Sequence, residues 1–176
     1  MWHMDIDKIG YGENPDAVHA VIEVPLHSTI KYEIDKVSGA VTVDRVLFSS
    51  MHYPANYGFV PNTLSDDGDP IDILVLCDCR LQAGVYIKCR LVGVLMTEDE
   101  HGGDEKLLAV PTSEIDPTYK NIQDLHDIPE HTLSRVKNFF ETYKMLEPDK
   151  WVKISGYKDK NAAEEILEKA INNYRK

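Results

Sequence analysis

Seven short apolar runs dominate the chain: "AVIEVP", "IKYEID", "AVTVDRVLF", "IDILVLC", "VYIKCRLVGVLM", "KLLAVP" and "WVKISGY". They are rich in Val, Ile, Leu and Tyr. Turn residues separate them, among them Ser38-Gly39, Pro54-Ala55-Asn56, Asp67-Gly68 and His101-Gly102-Gly103. Many short strands punctuated in this way fold as a barrel or a sandwich. Two later stretches change period. In "IPEHTLSRVKNFFETYKML", Leu133, Val136, Phe140 and Tyr143 stand at helical spacing, with Pro129 suited to the first turn and Asp127 to the cap. In "NAAEEILEKAINNY", Ala163, Ile166, Leu167, Ala170, Ile171 and Tyr174 form one stripe, and Asn161 followed by Glu164 resembles a capping box. The expected fold is therefore mainly β (α+β), a β-barrel core with two late α-helices. Residues 1–15 read as an arm or short strand, and 111–127 as loop with short turns.

With 176 residues the default is one domain, 1–176. A chain of this size buries roughly 70% of its unfolded surface, enough for a core. The net charge of −11 argues against a nucleic-acid or anionic-membrane binder, which needs a basic footprint. No apolar run approaches the length of a membrane span, and no leader pattern is visible. Cys77, Cys79 and Cys89 are an odd set without framework or zinc spacing, so buried or half-buried reduced thiols and a cytoplasmic location are expected.

The stretch "DDGDPIDILVLC" puts Asp66, Asp67, Asp69 and Asp72 within seven positions against a core strand. At a separation of about 4 Å and an effective dielectric of about 20, each like-charge pair costs about 4 kcal/mol. Water screens such groups, or cations sit between them. A solvated Asp-Gly turn is the plain explanation. An EF-hand fits poorly, because Asp72 stands where its Gly belongs and Asp78 where its Glu belongs. A second acidic loop, "TEDEHGGDEK", adds Glu98, Asp99, Glu100, Asp104 and Glu105, then Lys106. Alone it is a charged hairpin tip with a solvated His101. Two oxygen-rich loops together suit Mg²⁺, Mn²⁺ or Ca²⁺ rather than zinc.

Cations stand among the strands. Period two puts Lys31 and Glu33 on one face of "IKYEID". It puts Arg45 on a face with Val41, Val43 and Leu47, where an Arg is either ion-paired or an anion-binding group. Tyr53 and Tyr57 lie in the Pro-rich turn "HYPANYGFVPNT", and Tyr143 with Lys144 ends the first helix. Buried tyrosines with satisfied hydroxyls are the plain reading. Carboxylates, isolated cations and phenols are together what phosphoryl transfer to water needs, with metal ions between carboxylates and phosphate oxygens. A binding module for nucleic acid fits the barrel but not the charge. A passive divalent-ion buffer fits the acidic loops but has no use for Lys31, Arg45, Lys106 and Lys144.

The motif "DGDPIDIL", Asp67 to Leu74, resembles the signature of the soluble family I inorganic pyrophosphatases, bacterial type. "VIEVP", "IKYEIDK", "VDR", "YPANYGF", "GVL", "DEKLLAVP", "FFETYKMLE" and "KWVKISGY" follow the family in the same order. The resemblance implies an OB-like five-stranded β-barrel with flanking strands. It implies Mg²⁺-dependent hydrolysis of pyrophosphate to two phosphates, with several ions per active site, Mn²⁺ or Co²⁺ as substitutes, and a homohexamer. By the same resemblance Asp67, Asp72 and Asp104 are the main metal ligands. Asp99 and Glu33 serve further ions, and Glu23 and Tyr53 support the site. Asp69 is the general base, and Lys31, Arg45, Tyr57, Lys106, Tyr143 and Lys144 contact phosphate. Where the family often has an aromatic residue or helix histidines, this chain has His52, Asn138 and Thr142.

Overall fold

The computed structural model describes residues 5–35 and 37–176. Residues 1–4 of the expected arm, and Lys36 of "IKYEIDK", lie outside the described residues. The elements in chain order are α1 (Ile6–Ile9), β1 (Gly12–Glu13), β2 (Ala17–Val24), β3 (Ile30–Ile34), β4 (Val41–Val46), β5 (Asn56–Phe59), β6 (Asp72–Val75), β7 (Tyr86–Asp99), β8 (Gly102–Gly103) and β9 (Lys106–Pro111). Two 3₁₀ turns (Pro117–Tyr119, Leu125–Asp127), α2 (Glu130–Thr142), β10 (Val152–Lys158) and α3 (Lys160–Tyr174) complete the chain.

Strands β2, β5, β6, β9 and β7 hydrogen-bond in that order, and β7 returns to β2. The ring is a five-stranded OB-like barrel, as expected, and closure removes the free edges that an open sheet would expose. Only β6 and β9 pair in parallel; the other ring pairs are antiparallel. The long β7 closes the ring because it can pair with β9, β10 and β2 along its length. Outside the ring, β3 and β4 form a hairpin sheet of their own. Among the described residues, no helix is long and apolar enough to cross a membrane.

Alternate residues of the ring strands feed two cores, which is why the strands read as nearly continuous apolar runs. Ile73, Val75, Leu91, Leu107 and Ala109 pack with Ala163, Leu167, Ala170 and Ile171 of α3. Leu74, Leu76, Val92, Leu108 and Val110 pack with Val136, Phe139 and Phe140 of α2.

Several local expectations need correction. The segment read as a Pro-rich turn contains β5, a fully buried barrel strand. Its Gly58 lies so close to β2 that an added Cβ would stand 1.8 Å from the Val21 carbonyl oxygen. Asp127 does not cap α2; its carboxylate accepts from the Gln123 and Asp124 N–H groups, within the 3₁₀ turn before it. The cap of α3 is Asp159, which accepts from Ala162 N–H, two residues ahead of the expected Asn161. Tyr174 and Cys79 are exposed, because one ends its helix and the other sits in a loop. Cys77 and Cys89 are half-buried and buried, and all three thiols are free.

Replacing Leu167, fully buried between α3 and the barrel, by Ala should cost about 2–5 kcal/mol of unfolding free energy in denaturant titration. Replacing Lys169 on the same helix, whose ion pair with Asp66 is 62% exposed on both sides, should cost less than about 1 kcal/mol. Equal losses would mean that α3 is not anchored by this apolar stripe.

Candidate active site

The parallel register sets Asp72 at the start of β6 directly beside Lys106 at the start of β9. Paired residues share a face, so their side chains meet. The Lys106 ammonium lies 2.7 Å from Asp72 Oδ2 and 2.9 and 3.0 Å from the two Asp104 oxygens. Lys106 is 2% exposed, and its charge also lies 5.6 and 5.3 Å from the ring centres of Tyr57 and Phe140. Burial works against the charged form. Asp72 and Asp104 outweigh it and hold Lys106 well above the usual lysine range. The Tyr57 hydroxyl donates to the same Asp72 Oδ2 at 2.5 Å, and burial followed by the Asp72 charge raises that phenol well above normal.

The acidic loops flank this centre. Asp67 accepts from Asp69 N–H at 3.0 Å, a turn that Gly68 permits with φ of +92°. Partial burial raises the Asp67 carboxyl, and repulsion from Asp69 and Asp72 adds to the rise. Asp66, by contrast, turns away to Lys169 on α3. In the second loop the β7–β8 hairpin presents Asp99, which accepts from Lys144 Nζ at 3.0 Å and from His101 N–H at 2.9 Å. His101 itself is exposed, as expected. Asp104 is pushed up to about 6 by burial, with Lys106 opposing and Asp72 repulsion adding.

The remaining cations stand on the β3–β4 hairpin. Lys31 and Arg45 pair across it, and Asp44 bulges out between Arg45 and Val43. Two facing cations would repel. The bulge brings Asp44 to both: 3.5 Å from Lys31 Nζ and hydrogen-bonded to Arg45 Nη1. Lys31 also binds Glu33 at 2.5 Å, and Arg45 Nε donates to Glu147 Oε1 at 3.0 Å. The expected apolar face around Arg45 does not exist, since Val41 and Val43 are exposed. Glu23 fastens the hairpin to the barrel by accepting from Ile34 N–H at 2.9 Å. Burial raises it to about 7, with Asp72 and Glu33 adding repulsion and Lys31 opposing. Tyr53 and Tyr143 complete an aromatic block with Phe139, whose ring centre lies 4.8 and 4.9 Å from theirs, and burial raises both phenols.

Every site residue singled out in the sequence therefore stands in one connected region. The sequence reading missed Asp44, Glu147, the Glu100–Lys150 pair at 2.7 Å, and Thr97, which is bonded to the Asp104 backbone. Asp44 and Glu147 stood inside the quoted "VDR" and "FFETYKMLE"; their partners are set by a bulge and by a contact across 102 residues. Among the described residues, no three His, Cys, Asp or Glu side chains converge on one point as an ion-holding group. Lys106 fills the space between Asp72 and Asp104, and Lys144 holds Asp99. The donors fit hard divalent cations nonetheless: all are carboxylate oxygens, and Asp72 repels both Asp67 and Asp104, as Asp99 repels Asp104.

In metal-free protein the raised Glu23 pKa has a stability consequence. Between the unfolded value of 4.5 and about 7 the folded state holds a proton that the unfolded chain releases. That contribution is complete below pH 4.5 and is lost as pH rises through about 7. Glu23→Gln should therefore gain stability relative to the parent, by on the order of 2–3 kcal/mol, between about pH 4.5 and 8 in EDTA. A difference that stays flat over that range in denaturant titrations would exclude the effect.

The chain is similar to proteins of one family. A family model described as inorganic pyrophosphatase matches residues 20–175. The chain is 62% identical over 172 residues to an inorganic pyrophosphatase of Campylobacter jejuni, covering 98% of this chain and 100% of that one. The solved inorganic pyrophosphatase of Helicobacter pylori matches with TM-score 0.90 and 58% identity over 92% of this chain and 95% of that one. That of Thermus thermophilus matches with TM-score 0.93 and 44% identity over 98% and 100%. With its matching barrel, motifs and length, this chain belongs to the bacterial-type inorganic pyrophosphatase family.

Proposed function

We propose that this member of the family hydrolyses inorganic pyrophosphate to two orthophosphates by direct attack of water on phosphorus, with Asp69 as the general base. One observation carries the reading. Lys106, nearly sealed from solvent, stands between Asp72 and Asp104 at the meeting of two acidic loops. A cation so placed stabilises the carboxylates and offers a charged donor to a phosphate oxygen. Divalent ions, Mg²⁺ foremost with Mn²⁺ or Co²⁺ as substitutes, when bound acidify a water and offset phosphate charge.

Each residue has a part in this reading. Asp67, Asp72 and Asp104 hold the main ions, Asp99 and Glu33 further ones. Asp69 sits between Asp67 and Asp72 in sequence and accepts the proton that the attacking water gives up. Lys31, Arg45, Lys106 and Lys144 hold phosphate oxygens as point charges or forks, and Tyr57 and Tyr143 donate from their hydroxyls. Glu23 and Tyr53 hold these groups in place. Residues 1–176 act as one domain, and the three free thiols suit a cytoplasmic setting.

The decisive assay is phosphate release from pyrophosphate with and without Mg²⁺. Turnover should vanish in EDTA and return with Mg²⁺; undiminished turnover after exhaustive chelation would exclude the metal role. Asp69→Asn should lower kcat about 10²- to 10⁴-fold while metal affinity falls far less than in Asp72→Asn. Metal titration of both variants separates the roles, and parallel losses would refute them. By family likeness we also expect a hexamer, six times the 20.0 kDa chain, in light scattering under active conditions. A stable monomer there would contradict it.

A further inference from the structure

The phosphate-holding groups proposed above come from two walls. Lys31 and Arg45 stand on the β3–β4 hairpin, which among the described residues shares no ladder with the barrel. Tyr143 and Lys144 follow α2. A charged pair spans the gap. Arg45 Nε donates to Glu147 Oε1 at 3.0 Å across 102 residues of sequence. The Glu147 side chain is 7% exposed, against 29% for Asp44, the other anion on this guanidinium. Glu147 is itself fixed to the second wall, because its N–H donates to the Lys144 carbonyl at 2.9 Å. The neighbouring Lys150 is taken by Glu100, so Arg45 is the direct ion-pair partner of Glu147.

We infer that Glu147 is a positioning residue, which locks the Arg45 guanidinium to the turn carrying Lys144 and so fixes the spacing of the two phosphate-holding walls. The inference rests on the proposed role of Arg45. Glu147 takes Nε and Asp44 takes Nη1, so neither described bond uses Nη2. A guanidinium held by two of its nitrogens presents the third in a set direction, and pre-set donors bind without a further ordering cost. The backbone at this end is held by other contacts, since Leu47 is buried in the cluster that contains Phe139, Phe140 and Tyr143 and the Ser28 carbonyl accepts from Tyr53 N–H at 3.0 Å, but none of these sets the direction of the guanidinium. The hairpin strands expose Val41, Val43 and Val46, and the described bond to the barrel through Glu23 lies at Ile34, away from Arg45. Without Glu147 the Arg45 guanidinium loses its ion-paired tie to the second wall, while Leu47 keeps the backbone packed there.

The test is a double-variant cycle in steady-state pyrophosphate hydrolysis at saturating Mg²⁺. Glu147→Ala should raise KM about tenfold and change kcat by less than about threefold, as expected when a ground-state contact is lost. Glu147→Gln, which keeps an acceptor for Nε, should recover most of the affinity. Arg45→Ala should raise KM at least as much, and adding Glu147→Ala to it should cost less than about twofold more. A merely structural Glu147 would instead give independent, multiplying penalties, and that result overturns the inference. If Glu147→Ala fails to fold, Glu147→Gln and Glu147→Asp carry the same cycle. Impairment by Arg45→Ala with normal kinetics at Glu147 overturns this inference alone. Normal kinetics in Arg45→Ala overturns it together with the site reading from which it grows.

Discussion

A buried ammonium between two carboxylates holds the candidate site together. Lys106 is almost without solvent, and an unpaired charge in such a place would cost several kcal/mol. Asp72 and Asp104 remove that cost, and Lys106 in turn allows two acidic groups to stand near each other. Neither side is stable alone. The arrangement depends on the parallel β6–β9 register, since a slip of one residue would turn Lys106 toward the opposite face. The ladder that closes the barrel therefore also fixes the charge pairing.

Closure has a second effect. The starts of β6 and β9 come to one rim with the far end of β7, because β7 runs antiparallel to β9. Loops 60–71 and 100–105 thus meet there. The barrel and its rim loops supply Asp67, Asp69, Asp72, Asp99 and Asp104, one buried cation and Tyr57. The other cations arrive from outside it, on the β3–β4 hairpin and after α2. An aromatic block of Tyr53, Phe139, Phe140 and Tyr143 packs α2 against the rim. Edge-to-face and stacked rings of this kind add about 0.5–1.5 kcal/mol per pair beyond their buried area. Rigid support lies behind the carboxylates, and polar latches support the outer cations.

How much of this was legible in the sequence depended on range. The motif "DGDPIDIL" singled out carboxylates that the fold places beside Lys106 and the second acidic loop, and the apolar runs marked most barrel strands. β5 was hidden because Pro54 and Pro61 frame only four strand residues, too few to display a period. The α3 cap was missed because Asp159 precedes the charged Lys160, while Asn161 and Glu164 imitate a capping box. Period two failed at Arg45 because the Asp44 bulge shifts the parity of every residue beyond it. The contacts Asp72–Lys106 and Arg45–Glu147 join residues 34 and 102 positions apart. No local rule reports such pairs; they follow from strand register and from the placement of α2.

The same contacts explain how a chain of net charge −11 can take an anion. Lys31, Arg45, Lys106 and Lys144 each hold at least one carboxylate. Their charge is already spent on Glu33, Asp44, Glu147, Asp72, Asp104 and Asp99, while Asp67 and Asp69 add more negative charge nearby. A phosphate anion entering this region would meet a field that repels it. On the proposed reading, divalent cations held by the carboxylates would offset that field and free the ammonium and guanidinium groups for phosphate oxygens. Anion and cation binding are then coupled, and the coupling is reciprocal: whatever a divalent ion adds to phosphate affinity, phosphate adds to ion affinity. On that reading the density of carboxylates would make each cation's attraction for phosphate conditional on a second ligand.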